Sequence, residues 1–267
     1  MIRVAICGAA GRMGREVTRA VSEADDMQVV AAIDLHHVEE DAGSLAGIAP
    51  LGVKVEKDWR AAAIRTQPEV MVDFSVHTAV LPNALVALEL GISPVIGTTG
   101  LSGEEVAILE KTAQERRIGA FLAPNFAIGA VLMMQFAAQA ARYLPDVEII
   151  ELHHEKKVDS PSGTAMLTAQ YIAEARRAAG VHPSAAPEGA FEKVPGARGG
   201  LVDGVPVHSV RLPGFVAHQE VILGGVGQTL TLRHDSTDRR SFMPGVLLAI
   251  RKVRSLSGLV IGLENLL

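Results

Sequence analysis

Residues 153–165, His153-His154-Glu155-Lys156-Lys157-Val158-Asp159-Ser160-Pro161-Ser162-Gly163-Thr164-Ala165, gather two imidazoles, two ammonium groups and a helix start into thirteen positions. An imidazole can give or take a proton near neutrality. A helix start presents unpaired amides to an anion, and Lys157 adds a full positive charge. Together these groups suit proton transfer to a small carboxylate or phosphate. Ser160 followed by Pro161 reads as the N-cap and first helical position. The amides after Pro161, aided by Gly163, are then expected to point at whatever lies beside the histidines. The same residue types also suit a solvated corner at a strand end. No metal is expected, because the second histidine of a His-Glu-x-x-His helix is missing and the chain has one cysteine.

Two elements must position this stretch. Val147 to Leu152 is an apolar, strand-like run, and Ala165, Leu167, Tyr171 and Ile172 follow with helical spacing. A second chemical motif lies at the amino end. Ile2 to Cys7 reads as a short buried strand running into Gly8-Ala9-Ala10-Gly11-Arg12-Met13-Gly14, and a helical stretch extends from Arg15 to about Ser22. Strand, glycine turn and helix are the parts of a dinucleotide-binding βαβ unit. The first glycine permits the turn, the second admits a pyrophosphate, and the third lets helix and strand pack. The spacing is Gly-x-x-Gly-x-x-Gly, which is weaker as a bare motif than Gly-x-Gly-x-x-Gly. Context strengthens it: Met27 to Ile33 forms a second apolar strand closed by Asp34, where a ribose-binding carboxylate belongs. Asp34 favours NADH, whereas Arg12, His36 and His37 offer positive charge for the 2′-phosphate of NADPH, so the cofactor is expected to be NADH or NADPH.

With these motifs in hand, the chain resembles the 4-hydroxy-tetrahydrodipicolinate reductases, also called dihydrodipicolinate reductases, of lysine and diaminopimelate biosynthesis. The resemblance covers nearly the whole length and rests on four segments: Gly8 to Gly14, Gly97-Thr98-Thr99-Gly100, Ala123-Pro124-Asn125-Phe126, and Glu151-Leu152-His153-His154 running on to Ala165. It implies that Gly8, Ala9, Ala10, Gly11, Arg12 and Met13 hold the pyrophosphate and Asp34 the adenine ribose. Gly97, Thr98, Thr99, Ala123, Pro124, Asn125 and Phe126 would line the nicotinamide end. His153 matches the family's proton donor or acceptor and Lys157 its second proton donor, while His154, Gly163 and Thr164 match contacts to a small dicarboxylate substrate. It further implies a homotetramer formed through the second domain's sheet. Leu35 departs from the pattern of members with a basic residue there, and Gly258 to Gly262 carries no family role.

The remaining composition bounds this reading. At 267 residues, 48% hydrophobic and 21% charged, the chain suits a globular protein with a sizeable core, and only 4% aromatic content makes that core aliphatic. A net charge of −5 argues against general nucleic-acid binding. Cys7 reads as a small buried residue. The most apolar region, Ala120 to Ala138, is interrupted by Pro124, Asn125 and Gln135, so no membrane span is expected. A cytoplasmic enzyme fits best.

Short apolar runs alternate with helical ones up to about Phe126: strands at 70–75, 94–97 and 119–123, helices at 78–90 and 103–117. This alternation predicts an α/β fold with a Rossmann-like parallel sheet, its ligands beyond the carboxyl ends of the strands. Beyond it a long helix over 129–143, the histidine strand, a Pro-, Ala- and Gly-rich loop over 180–204 read as mobile, and strands at 205–212, 216–223 and 229–234 predict an α+β domain with an open, mainly antiparallel sheet. A dinucleotide-binding domain is expected over 1–127, with the helix from Arg240 and the rest of 240–267 returning to it. Residues 128–239 are expected to form the substrate-binding and oligomerisation domain. His218 and His234 read as surface or hydrogen-bonded imidazoles within strands. Arg233, Arg239 and Arg240 read as structural or surface charges, unless one meets a second carboxylate. Other small Rossmann amino-acid dehydrogenases, or a non-catalytic nicotinamide sensor, remain alternatives; neither calls for the His-His-x-x-Lys and Ser-Gly-Thr combination.

Overall fold

The computed structural model describes residues 1–267. In chain order the elements are β1 (Ile2–Cys7), α1 (Arg12–Glu23), β2 (Met27–Ile33), α2 (Ala42–Leu45), β3 (Val55–Glu56), α3 (Trp59–Thr66), β4 (Val70–Asp73), α4 (His77–Glu89), β5 (Ser93–Ile96), α5 (Gly103–Arg116) and β6 (Ala120–Leu122). They continue with α6 (Ile128–Ala140), β7 (Asp146–His153), α7 (Gly163–Ala179), β8 (Gly200–Val202), β9 (Val205–Arg211), β10 (Ala217–Gly225), β11 (Gln228–Ser236), α8 (Met243–Val253) and β12 (Leu259–Ile261). The chain divides into two compact units, Met1–Phe126 with Arg239–Leu267, and Ala127–Asp238. No helix is long and apolar enough to cross a membrane.

The first unit holds a seven-stranded sheet in the order β12-β6-β5-β4-β1-β2-β3, in which every pairing is parallel. Strands buried on both faces read as unbroken apolar runs, and β4 and β5 are buried at every position. Ala62, Ala84, Ala87 and Ala113 lie in the same core as Leu88, Ile96 and Leu109, so small residues on the helices let them sit close against the aliphatic sheet. The order reverses at β1, which pairs with β2 on one side and β4 on the other. That switch point opens a crevice beyond the carboxyl ends of the strands.

Three elements here escape sequence periodicity. β3 and α2 are too short to show a period, and α3 is announced only by its N-cap, where Asp58 Oδ1 accepts from Ala61 N at 3.0 Å. The tail acquires a structural role: β12 pairs in parallel with β6 through Leu259–Ala120, Val260–Phe121 and Ile261–Leu122. The expected helix from Arg240 begins as a 3-10 turn, Arg239–Phe242, before α8 takes over.

The second unit holds a five-stranded sheet, β11-β10-β7-β9-β8, antiparallel except for the β7–β9 pair. Along β7, Val147, Ile149 and Glu151 are buried, while Glu148, Ile150 and Leu152 are half-buried on the opposite face. α6 and α7 pack on the buried face. Residues 181–199 form no regular element and are anchored at both ends: Ser184 donates to Asp146 through N (2.6 Å) and Oγ (2.8 Å), and Arg198 pairs with Glu148.

Candidate functional site

The glycine turn sits at the switch point. Gly8 takes φ +79°, and a Cβ there would stand 2.7 Å from Phe74 O and 2.8 Å from Ser75 N, so both the turn and its approach to the end of β4 demand glycine. A Cβ on buried Gly14 would collide with Gly8 O and lie 2.7 Å from Ala9 Cα. The third glycine therefore packs α1 against the turn itself rather than against the strand. α1 begins at Arg12, three residues earlier than the sequence reading placed it, because Gly11 serves as its N-cap. Gly11 has no side chain to cap the first amides of α1, and those amides are the groups a phosphate would meet.

Asp34 has a structural duty that sequence alone did not show. Its Oδ2 accepts from Ala10 N and its Oδ1 from His36 N, both at 3.0 Å, so the carboxylate ties the end of β2 to the turn. A cavity of about 480 Å³ opens here, lined by Gly8, Ala10, Gly11 and Asp34 together with His36, His37, Lys57, Trp59 and Asn83. Cavities of this size commonly hold cofactors. Lys57 and Trp59 were not among the expected residues; Lys57 follows β3 and Trp59 opens α3, elements with no readable periodicity.

Farther along the same strand ends, Gly97 N donates to Asp73 O and Ala123 N to Ile96 O, both at 3.0 Å, which aligns residues 97–99 beside residues 123–126. A Cβ on Gly97 would strike the Phe74 ring, whose centroid lies 5.7 Å from that of Phe126. Thr98 Oγ1 donates to Ser75 O at 3.1 Å. Thr99 and Pro124 are exposed, and Asn125 is half-buried. Beneath this edge, buried Asp73 accepts from Ser75 Oγ (2.6 Å) and Asn83 Nδ2 (2.8 Å). A turn that only glycine fits, an uncapped helix start and a cavity ending on an acidic strand terminus together fit a dinucleotide.

In the second unit the N-cap of α7 is Ser162, not Ser160. Ser162 Oγ accepts from Ala165 N at 3.2 Å, the N3 amide, while Ser160 joins Pro161 through a cis peptide in the preceding turn. The Ser162 amide is also committed, donating to Glu151 Oε1 at 3.2 Å. The amides expected to follow Pro161 toward a ligand thus reduce to those at the start of α7. Gly163 faces open space, and Thr164 beside it is half-buried.

His153 ends β7 with its side chain mostly covered, and its Nδ1 lies 2.5 Å from Glu151 Oε2. Arg211, its partner across β9, donates to Glu151 through NH1 (2.8 Å, to Oε2) and NH2 (2.7 Å, to Oε1). Burial pushes the Glu151 carboxyl up, but hydrogen bonds from His153, Arg211 and Ser209 outweigh it and hold the pKa at about 2. Lys157 reaches Asp159 at 2.6 Å, and that hydrogen bond lowers the Asp159 pKa against a smaller opposing effect of burial. His154 is half-buried and its carbonyl accepts from Lys157 N at 3.1 Å, closing the turn between them. Glu151 and Arg211 were missed as site residues. A glutamate inside an apolar strand is the signal that was available, since a fully buried carboxylate requires partners.

The strand imidazoles His218 and His234 hold structural positions. His218 uses both nitrogens, Nδ1 to Asp235 Oδ1 at 2.6 Å and Nε2 accepting from Val216 N at 3.2 Å. His234 packs where a Cβ on Gly129 would come within 2.7 Å, and burial lowers its pKa. Arg233 is paired with both Glu220 and Asp235.

A doubly wound nucleotide unit, joined to a unit carrying an imidazole, a lysine and a helix start on one loop, defines an oxidoreductase of the Rossmann class. A family model described as Dihydrodipicolinate reductase, N-terminus, matches residues 2–126, and one described as Dihydrodipicolinate reductase, C-terminus, matches residues 129–267. The chain belongs to the dihydrodipicolinate reductase family, which with this fold implies a nicotinamide cofactor. It is 55% identical over 266 residues to the 4-hydroxy-tetrahydrodipicolinate reductase of Moorella thermoacetica, covering 100% of this chain and 98% of that one. It is 51% identical to the protein of the same name from Desulfitobacterium hafniense strain DSM 10664 / DCB-2, with the same coverage. A solved dipicolinate-bound dihydrodipicolinate reductase from Paenisporosarcina sp. TG-14 superposes with a TM-score of 0.88 at 45% identity over 100% of both chains.

Proposed function

We propose that the protein reduces 4-hydroxy-tetrahydrodipicolinate to tetrahydrodipicolinate, with NADH or NADPH as hydride source, in lysine and diaminopimelate biosynthesis. The observation that carries this reading is His153, held by one nitrogen against Glu151 on the same loop as Lys157 and the start of α7. Full-length identity to enzymes of that name supports it.

Loss of the 4-hydroxyl as water leaves a conjugated cyclic imine. A nicotinamide bound along residues 97–99 and 123–126 would supply a hydride for the imine's electron-poor carbon. Electron density then moves onto the ring nitrogen, which must gain a proton. His153 delivers it, and Lys157 leaves Asp159 to stabilise the developing charge or to act as second donor. His154, Thr164 and the amide of Gly163 grip a carboxylate, in keeping with the dipicolinate held by the Paenisporosarcina protein. In the nucleotide unit, residues 8–13 hold the pyrophosphate, and Gly97, Thr98, Thr99 and Ala123 to Phe126 line the nicotinamide end.

Both nicotinamide forms are accepted in this reading. Asp34 retains lone pairs for a ribose hydroxyl, and Lys57, His36 and His37 in the same cavity supply charge for a 2′-phosphate. The enzyme acts in the cytoplasm as a homotetramer, whose assembly surface is the sheet face bearing half-buried Ile150, Leu152 and Ile222. His153→Gln tests the proton role: kcat should fall about 100-fold or more while the Kd for cofactor stays unchanged. A near-normal kcat would remove His153 from the reaction.

A further inference from the structure

We infer that Glu151 is a positioning residue for the reduction: its buried carboxylate accepts the Nδ1 proton of His153, fixes the ring in one tautomer, and leaves Nε2 as the nitrogen that exchanges a proton with substrate. This deepens the proposed function and rests on it for the identity of the substrate.

The geometry assigns the tautomer. An ionised carboxylate only accepts hydrogen bonds, so at 2.5 Å from Oε2 the Nδ1 atom must carry the hydrogen. Ionisation is enforced by the surroundings. Glu151 is fully buried, and Arg211 forks onto both of its oxygens while the Ser162 amide reaches Oε1. The cross-strand neighbours of the pair favour that state or are neutral to it. Ser209 and Arg211 come from β9, while β10 contributes Gln219 opposite Glu151 and Ala217 opposite His153. In the loop, Lys157 and Asp159 neutralise one another. Arg211 also donates to Asp159 O at 2.7 Å, so the group that fixes the carboxylate fixes the Lys157–Asp159 turn as well.

His218 supplies an internal contrast. It makes the same Nδ1 contact with a carboxylate, yet its Nε2 is consumed by the Val216 amide, which makes it a clamp. His153 spends only Nδ1. When the protonated ring, with hydrogen on both nitrogens, gives its Nε2 proton to the substrate nitrogen, the N–H bond breaks, its electron pair stays on Nε2 and the neutral Nδ1–H tautomer remains. The Nδ1 proton never leaves the Glu151 side. Bulk water then returns a proton to Nε2, and the ring needs no flip between turnovers.

The test uses the full chain labelled with 15N-histidine, read by 15N spectra and by steady-state kinetics. Wild type should show His153 with hydrogen on Nδ1 when neutral, a readout independent of substrate identity. Glu151→Gln should mix the tautomers and lower kcat about 10²-fold or more, with cofactor KM unchanged. Glu151→Asp should recover part of the rate. Should Glu151→Gln not fold because Arg211 is left unpaired, the double variant Glu151→Gln with Arg211→Met removes both charges and is read the same way. A wild-type His153 carrying hydrogen on Nε2, or a folded Glu151 variant with unaltered tautomer and kcat, overturns the inference. Wild type that shows the Nδ1 tautomer but does not turn over 4-hydroxy-tetrahydrodipicolinate instead overturns the proposed substrate and leaves the tautomer assignment supported.

Discussion

Replacing Gly14 and Gly11 separately by alanine should divide stability from cofactor binding. At Gly14 the new methyl would overlap Gly8 O and stand 2.7 Å from Ala9 Cα and 2.8 Å from Gly8 C. All three atoms are backbone, so no side chain can rotate away. Overpacking of a tight core costs about 1–3 kcal/mol even where side chains yield. With only backbone atoms in the way the cost here lies at the upper end of that range or above it, and alanine recovers about 1 kcal/mol of helix propensity, which leaves a net loss of about 2 kcal/mol or more. For a unit of this size that corresponds to a Tm lower by about 4–8 °C. The displaced turn should also weaken NADH binding at least tenfold. At Gly11 the methyl would lie 3.2 Å from Gly8 O, on a backbone with φ −71° that any residue adopts. Stability should fall by only about 1 kcal/mol, because alanine is a poorer N-cap than glycine and the 3.2 Å contact asks for only a small shift. The methyl nevertheless occupies the approach to the first amides of α1, so NADH affinity should still fall at least tenfold. Calorimetry for Tm and fluorescence titration for Kd separate the two effects. A Gly14→Ala protein with wild-type Tm, or a Gly11→Ala protein with wild-type affinity, would refute the assignment of these glycines.

Glu151 has a folded pKa of about 2 against an ordinary 4.5, so its stabilisation is complete above about pH 4.5 and disappears as pH falls through 2. That linkage is worth on the order of 3 kcal/mol, and urea midpoints measured from pH 6 to pH 2 should fall more steeply for wild type than for Glu151→Gln; parallel slopes would contradict it. Lys57→Ala should raise KM for NADPH about tenfold and leave KM for NADH unchanged. An equal effect on both would move the 2′-phosphate elsewhere in the cavity. Gly163→Ala meets nothing within 4 Å and should keep the wild-type Tm. A raised substrate KM in that variant would assign the open space to the substrate, and an unchanged KM would exclude it.

Much of the nucleotide unit was legible because strands buried on both faces keep unbroken apolar runs, and β2 follows its run from Met27 to Ile33. β12 was not legible, since three residues gain their strand character only from β6 beside them. At the candidate site the residue types were readable, but the partnerships were not. Ser160 and Ser162 both suit an N-cap, and only backbone geometry selects Ser162, whose hydroxyl reaches Ala165 N. Arg211 is distant in sequence from Glu151, and nothing in its local pattern announces the pair. The β7–β9 register brings them together. Lys157 carried the expected charge, but the sequence did not reveal that Asp159 neutralises it.

The most direct test of the account is the loss of nicotinamide absorbance when the purified protein meets freshly generated 4-hydroxy-tetrahydrodipicolinate, run separately with NADH and with NADPH. Rapid oxidation of both cofactors is the predicted result. Demonstrated cofactor binding without oxidation of either would contradict the proposed reaction.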